Sequence, residues 1–366
     1  MADLTNEFVA QIREASAHKS PLIIEGSGSK RWYGNAVVGQ HQLSTTGHTG
    51  ILDYDPAELV LTARAGTTIA ELEKALAERG QMLAFEPPRY APESTLGGVI
   101  ASGLSGPARP YAGGVRDFVL GLHIVDGKGD VLKFGGQVMK NVAGYDVSRL
   151  MTGSLGVLGL ITQVSLKVLP IAPAQSTLTF ELSEAAAIHQ VNEWSAKPLP
   201  ITGSLWHQGV LSVRLAGARA AVASAEQQLG GAKLAPEVAA KLWRDLQDQT
   251  HAFFCSASAM EGNRSLWRLS LPAIAPAINA DAIPGAQDQL IEWGGAQRWL
   301  WSDAAPAAIR KVAHGLGGHA VLFNNQHADS DVFDALPPAL MAIHHRLKNT
   351  FDPHGIFNPG RLYQGL

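Results

Sequence analysis

The sequence predicts an α+β protein of two domains, and three observations carry that prediction. Strand and helix patterns alternate up to Pro170, the proline-marked stretch PIAPAQST follows, and beyond it short strands, hairpins and helices mix in a region rich in alanine, glutamine and tryptophan. The later texture implies an antiparallel sheet with helices on one face. With 366 residues, 46% of them hydrophobic and 17% charged, the chain has enough apolar content for two real cores.

Each element has a local reason. MADLTNEFVAQIREASAH places Leu4, Phe8, Val9 and Ile12 at helical spacing and lacks the uninterrupted apolar run of a signal peptide. PLIIEG is a short strand feeding the loop GSGSK. LVLTARAG is a strand, and TTIAELEKALAERGQ a helix capped by Thr67 or Thr68, with Glu71 in its first turn and Gly80 as its stop. DFVLGLHIVDGKGDVLKFG is a hairpin whose Asp-Gly centre supplies positive φ. GVLGLITQVSLKVLP is the next strand, offering Ile161, Val164, Leu166 and Val168 to a core. The second region continues with strand STLTFEL, helix EAAAIHQVNEWSA, hairpin GSLWHQGVLSVRLAG, two helices, strand LWRLSLP, hairpin QLIEWGGAQRWLWS, helix PAAIRKVAHGLG and strand HAVLF. LMAIHHRLKNTF is a final helix ended by Asp-Pro, and the turns after it are too rich in glycine and proline for a core strand.

Composition excludes several functions. A formal net charge of -3 supplies no general attraction to nucleic acid or an anionic membrane. One cysteine, Cys255, excludes an internal disulfide, a four-cysteine zinc site and an iron–sulfur cluster held by this chain alone, and a reducing cytoplasm is the expected compartment. No segment reads as membrane-spanning, so attachment to an inner membrane would be peripheral and through a partner. Neither Lys30 nor the GKG at Gly127 completes a Walker loop, and Arg31 stands where a nicotinamide fingerprint needs its third glycine. Ser27 to Lys30 matches S-x-x-K, but the S-D-N and K-T-G companions of penicillin-recognising hydrolases are absent.

What remains is a set of glycine and serine loops, each following a strand, whose backbone N–H groups can face the oxygens of one extended pyrophosphate ligand. Plain turns explain any single glycine equally well. Three clustered loops favour the ligand.

The motifs IIEGSGSKRWYG, PESTLGGVIASGLSGPARPYAGGVRDFV, VMKNVAGYDVSRLMTGSLGVLGLITQVSLKVLP and DPHGIFNPGRL resemble the vanillyl-alcohol-oxidase-type, or PCMH-type, FAD-binding family. Within it, the wording around NVAGYD, the stretch EWGGAQRWLW and the short length are most similar to the smaller flavin-binding subunits of bacterial glycolate oxidases. The resemblance implies a PCMH-type FAD-binding domain of two α/β subdomains over 1–170, a small antiparallel-sheet cap over 171–340, and a segment 341–366 returning to the FAD domain. It places Gly26, Ser27, Gly28, Ser29 and Lys30 on the pyrophosphate, and Thr95, Gly97, Gly98, Ser102, Gly103 and Gly106 along the ribityl chain and flavin. Asn141, Gly144, Tyr145, Asp146, Gly153, Ser154, Gly156 and Ile161 would line the adenine and flavin walls, and Asn358 would approach the isoalloxazine ring. Tyr145 and Asn358 could equally cap turns in a packed corner.

The implied activity is oxidation of glycolate to glyoxylate by a complex that passes electrons to a quinone-type acceptor. The implied partners are a larger flavin-binding subunit and an iron–sulfur subunit. A self-sufficient FAD-dependent 2-hydroxy-acid dehydrogenase and a non-catalytic scaffold are the alternatives. The first glycine loop holds no histidine or cysteine, so the FAD is expected to be non-covalent. The sequence departs from family members that oxidise 2-hydroxy acids alone: no G-D-G-N-x-H or E-H-G cluster occurs, and Leu155 replaces a frequent glutamate. His314 with His319, and His344 with His345, do not form a pre-set metal site. No metal and no catalytic base are assigned. Trp293, Trp299 and Trp301 could cover the flavin or face another subunit, or, for Trp299 and Trp301 at period two, pack in a core; Arg298 on the other face is a candidate anion contact.

Overall fold

The computed structural model describes residues 2–37, 39, 41–136, 146–255, 264–278, 282–283, 285–324 and 331–366. The chain divides into one unit of residues 1–104, 113–171 and 335–366 and another of 105–112 and 172–334.

In the first unit, Phe8, Ile12 and Ala15 recur at the spacing of one helical face. They lie on helix α1 (Thr5–His18) and are buried with Leu22, Leu43, Val125, Leu160, Ile356 and Phe357. Strand β1 (Leu22–Glu25) pairs in parallel with β2 (His41–Ser44). Strands β3 (Ile51–Asp55) and β4 (Val60–Arg64) begin an antiparallel sheet; after the short β5 (Gln81–Met82) it continues with β6 (Val119–Val125), β7 (Val131–Gly135) and β8 (Leu160–Lys167), in the order β3-β4-β8-β6-β7. β9 (Leu169–Pro170) pairs with β5. β8 is central and buried on both faces, and its Ser165 hydroxyl is matched with that of Thr62 at 2.8 Å.

Local capping chemistry sets the helix ends. Thr68 caps α2 (Ile69–Ala77) by accepting from the Glu71 N–H, while the Thr67 hydroxyl accepts instead from the Gly50 N–H. Thr95 caps α3 (Leu96–Ser102), and Gly103 closes it at φ 67°. In the β6–β7 hairpin the Asp126 carboxylate accepts from the Lys128 and Asp130 N–H groups, and the positive φ falls at Gly129 rather than at the Asp-Gly centre. Gly127 is required for a different reason: a Cβ there would lie 2.8 Å from the Asp352 Cα. The C-terminal turns form no strand, in keeping with their glycine and proline content. Phe357 bridges Leu22 in parallel and is fully buried, which adds the segment to the β1 side of the core.

The second unit is built on one antiparallel sheet of eight strands: β10 (Ala174–Glu181), β11 (Ile201–His207), β12 (Val210–Gly217), β13 (Ala232–Lys233), β14 (Ser265–Ser270), β15 (Gln287–Glu292), β16 (Gln297–Ser302) and β17 (His319–Asn324). Their order is β13-β10-β12-β11-β15-β16-β14-β17. Helices Glu184–Ser195 and Arg219–Leu229 supply Ala187, Trp194, Val222 and Ala225 to one core cluster, and helix Pro306–Gly315 supplies Ile309 and Ala313 to another. β16 is buried along its length, which decides the tryptophans: Trp299 and Trp301 are core residues whose indole N–H groups donate to the Glu292 carboxylate and the Phe253 carbonyl, each at 2.9 Å. Arg298 is no anion contact. It is fully buried, donates to the carbonyls of Gly295, Ala275 and Pro276, and lies 3.9 Å from Glu184. Trp293 donates to the Gly106 carbonyl and carries the Arg109 guanidinium 4.6 Å over its ring.

Candidate cofactor cleft

A cleft open to solvent runs through the first unit where three loops converge. Residues 23–31 form its first wall. Beyond β1, Arg31 N donates to the Gly28 carbonyl and Tyr33 N to the Lys30 carbonyl, both at 3.0 Å, with Gly28 at φ 75°. These turns leave the N–H groups of Ser27, Gly28 and Ser29 with no acceptor among the described residues, on a segment that lines the cleft. Consecutive free N–H groups of this kind make an anion-binding concavity. Lys30 reaches the second loop, donating to the Ser94 hydroxyl at 2.8 Å and lying 5.6 Å from the centre of the Tyr90 ring. Arg31 forms a forked pair with Glu25, Nη2 to Oε1 at 2.7 Å and Nε to Oε2 at 3.0 Å.

Thr95, Gly97, Gly98, Ala101 and Ser102 give the second wall, on α3. Two glycines allow the close approach: a Cβ on Gly26 would collide with Thr95 Oγ1, and one on Gly97 would stand 2.8 Å from the Ala65 Cβ. The third wall is the loop before β8 with the start of that strand. Its Gly153 and Leu155 N–H groups donate to the Ile100 and Ala101 carbonyls, and Leu155, Gly156, Gly159, Leu160 and Ile161 line the space. Leu155 holds φ 50°, an uncommon conformation for leucine and one that a packed cleft wall must enforce.

The expected site residues divide accordingly. Gly26, Ser27, Gly28, Ser29, Lys30, Thr95, Gly97, Gly98, Ser102, Gly156, Ile161 and Asn358 line the cleft. Gly103, Gly153, Ser154 and Asp146 do not. A Cβ on Gly103 would lie 2.9 Å from the Gly153 Cα, so the bare backbone at Gly103 lets α3 and the third loop touch, while Gly153 itself is set by its φ of 83°. Ser154 is buried away from the lining, and Asp146 caps the helix Val147–Met151 through the Arg149 N–H. Gly106 falls in the second unit, and Asn141, Gly144 and Tyr145 lie outside the described residues. Asn358 lines the cleft and also has partners within the protein. Its Oδ1 accepts from Ile24 N at 2.8 Å and its Nδ2 donates to the Leu155 carbonyl at 2.7 Å, so its amide stitches two walls together.

Sequence reasoning missed Glu25, Arg31, Thr45 and Arg361. The charged ones flank turns without periodicity, and no local signal marks Arg31 turning back onto Glu25 or Arg361 reaching Lys30, Arg31 and Asn35. Burial holds the Arg361 guanidinium below arginine's ordinary value, with Glu25 acting in the opposite sense. Among the described residues no three His, Cys, Asp or Glu side chains gather into a metal-holding group.

Comparison with known proteins agrees with this geometry. Residues 2–135 match the FAD binding domain family, and residues 332–362 match the C-terminal domain of FAD linked oxidases. Over 364 residues, all of this chain and 99% of the relative, the sequence is 46% identical to glycolate oxidase subunit GlcE of Escherichia coli strain K12. The chain belongs to the GlcE family of FAD-linked oxidase subunits. Glycolate oxidase subunit GlcD of Bacillus subtilis strain 168 is 32% identical over 57% of this chain and 45% of its own length. A solved alkyldihydroxyacetonephosphate synthase, 18% identical, shares the fold with a TM-score of 0.69 over 97% of this chain and 75% of its own. The cofactor of this GlcE-family chain is FAD, and the free N–H groups beside Lys30 and Arg31 suit its diphosphate.

Proposed function

We propose that this chain is the FAD-binding subunit of a glycolate oxidase complex that converts glycolate to glyoxylate and delivers electrons to a quinone-type acceptor. The observation that carries the proposal is a preformed anion cradle, Ser27–Ser29, in a chain that aligns end to end with a glycolate oxidase subunit. Bound FAD would supply the complex with a two-electron redox centre in this chain. The chain's own residues bind and orient it. Ser27, Gly28 and Ser29 donate to phosphate oxygens, Lys30 and Arg31 add positive charge, and Ile24, Leu155 and Ile161 offer apolar wall.

Oxidation also needs a group that takes the hydroxyl proton and a cation that holds the carboxylate. Among the described residues the cleft lining contains no histidine, and its carboxylate, Glu25, is paired with Arg31. The full reaction therefore belongs to the complex: a larger flavin subunit holds substrate and an iron–sulfur subunit carries electrons away. No helix among the described residues is long and apolar enough to cross a membrane. The chain works in the cytoplasm and reaches the inner membrane through those partners. The test is anaerobic rapid mixing of the isolated, FAD-loaded chain with glycolate. Slow or absent flavin bleaching is expected; bleaching as fast as in the complete complex contradicts the division of labour and favours a self-sufficient dehydrogenase.

A further inference from the structure

We propose that the C-terminal segment Asp352–Arg361 is a strap that holds the first glycine loop in its binding conformation, with Arg361 as the main positioning residue. The proposal rests on the FAD reading of the cleft. It begins at a buried anchor. Lys348 Nζ lies 2.8 Å from the Asp352 carboxylate and donates to the Val157 and Phe357 carbonyls, also at 2.8 Å. The same carboxylate accepts from Ile356 N at 3.1 Å and Phe357 N at 2.8 Å, so the anchor sets the path of the next residues. Backbone bonds then tie that path to β1: Leu22 N to the Ile356 carbonyl at 2.7 Å and Asn358 N to the Leu22 carbonyl at 3.1 Å.

Beyond β1 the strap grips the loop itself. Arg361 donates to the carbonyls of Arg31 at 2.7 Å, Lys30 at 3.3 Å and Asn35 at 3.1 Å. Asn35 answers with its own N–H to the Arg361 carbonyl at 2.9 Å and its side-chain amide to the Gly360 carbonyl at 3.1 Å. Two glycines make room: a Cβ on Gly34 would stand 3.0 Å from Arg361 Nε, and one on Gly156 2.7 Å from Asn358 Nδ2. A carbonyl held on a guanidinium fixes the plane of its peptide. With the carbonyls just past the cradle fixed, the N–H groups of Ser27–Ser29 stay turned toward the cleft before any anion arrives. A rigid planar fork does this, and a lysine ammonium at the end of a flexible stem does not. Because the strap and the bound cofactor stabilise the same loop conformation, each must strengthen the other.

The experiment uses the full chain stripped of flavin. FAD is titrated by quenching of its fluorescence into wild type, Arg361→Gln and Arg361→Lys, and amide hydrogen exchange at Ile356 and Phe357 is followed in wild type with and without FAD. Both variants should bind FAD on the order of tenfold more weakly, and the Ile356 and Phe357 amides, which do not line the cleft, should exchange several-fold more slowly when FAD is bound. Wild-type affinity in Arg361→Lys overturns the proposal, because charge alone would then suffice. Unchanged exchange at both amides in FAD-binding wild type also overturns it and decides the matter if neither variant folds. Failure of wild type to bind FAD overturns the FAD reading as well.

Discussion

Gly26 and His48 show how much rests on single side chains. At Gly26 the place of a Cβ is taken by Thr95 Oγ1, the atom that caps α3, so Gly26→Ala must either push the first loop from the second or displace the cap. Loss of the cap costs about 1 kcal/mol, while loss of loop register should weaken FAD binding at least about tenfold. Full FAD content in a purified Gly26→Ala protein would show that the loops do not meet this way. His48 is a buried histidine whose Nδ1 accepts from the Leu4 N–H at 3.0 Å and whose ring meets Phe8 edge-on. Burial, more than the opposing pull of Asp3, lowers its pKa. In the interval between this depressed value and the unfolded value of about 6.5 the unfolded chain holds more protons, so the stability His48 contributes is full above that interval and lost as pH falls through it. His48→Asn keeps an acceptor for Leu4 and removes the titration. Thermal midpoints between pH 7.5 and 5.5 should fall less steeply in the variant, and equal slopes would remove His48 from the account.

Helix Pro338–Phe351 depends on a polar anchor more than on an apolar face, since its buried residues are Lys348 and Phe351. Burial pushes the Lys348 ammonium below its ordinary value while the Asp352 carboxylate and its hydrogen bond pull it back. Asp352→Ala would strand the ammonium and free two backbone N–H groups, at a cost of about 3–5 kcal/mol. Urea unfolding measures this directly. A loss under about 1 kcal/mol would mean that the Val157 and Phe357 carbonyls hold the ammonium unaided. Elements were the most legible level of the sequence. The α1 face, the Thr68 cap and the core strand through Ile161, Val164 and Leu166 follow from period and capping chemistry. The site was legible as a cluster of loops rather than as a set of contacts: glycine density marks where backbone approaches something, but Gly103 and Gly153 approach each other and Gly156 approaches Asn358.

Taken together, the described residues of the cleft lining include neither histidine nor cysteine, two side-chain types that can form a covalent flavin bond. With non-covalent binding, affinity would rest on the cradle, Lys30 and the proposed strap. Acid precipitation of the yellow protein should release all of its flavin, and colour remaining in the washed pellet would establish a covalent link. With Cys255 as its single cysteine, exposed and in the second unit, this chain cannot hold a cysteine-ligated iron–sulfur cluster alone, and any such relay would come from another chain.

The sequence alone determines many of the segments that become helix or strand, and that several glycine loops follow strands, because these depend on neighbours within a few residues; strands His41–Ser44 and Ile51–Asp55 and helix Leu96–Ser102 carried no such local signal. Its resemblance to a flavin-binding family extends that to the cofactor. Tertiary structure decided what the individual polar and aromatic side chains do. Trp299 and Trp301 on one face of β16, and Arg298 on the other, are buried only once β14, β15 and β16 pair, and Asn358 meets Ile24 across 334 residues of chain. Arg361 likewise closes on Asn35 across 326 residues. Contacts that distant are selected by the burial and register of the assembled core, and no local pattern encodes them.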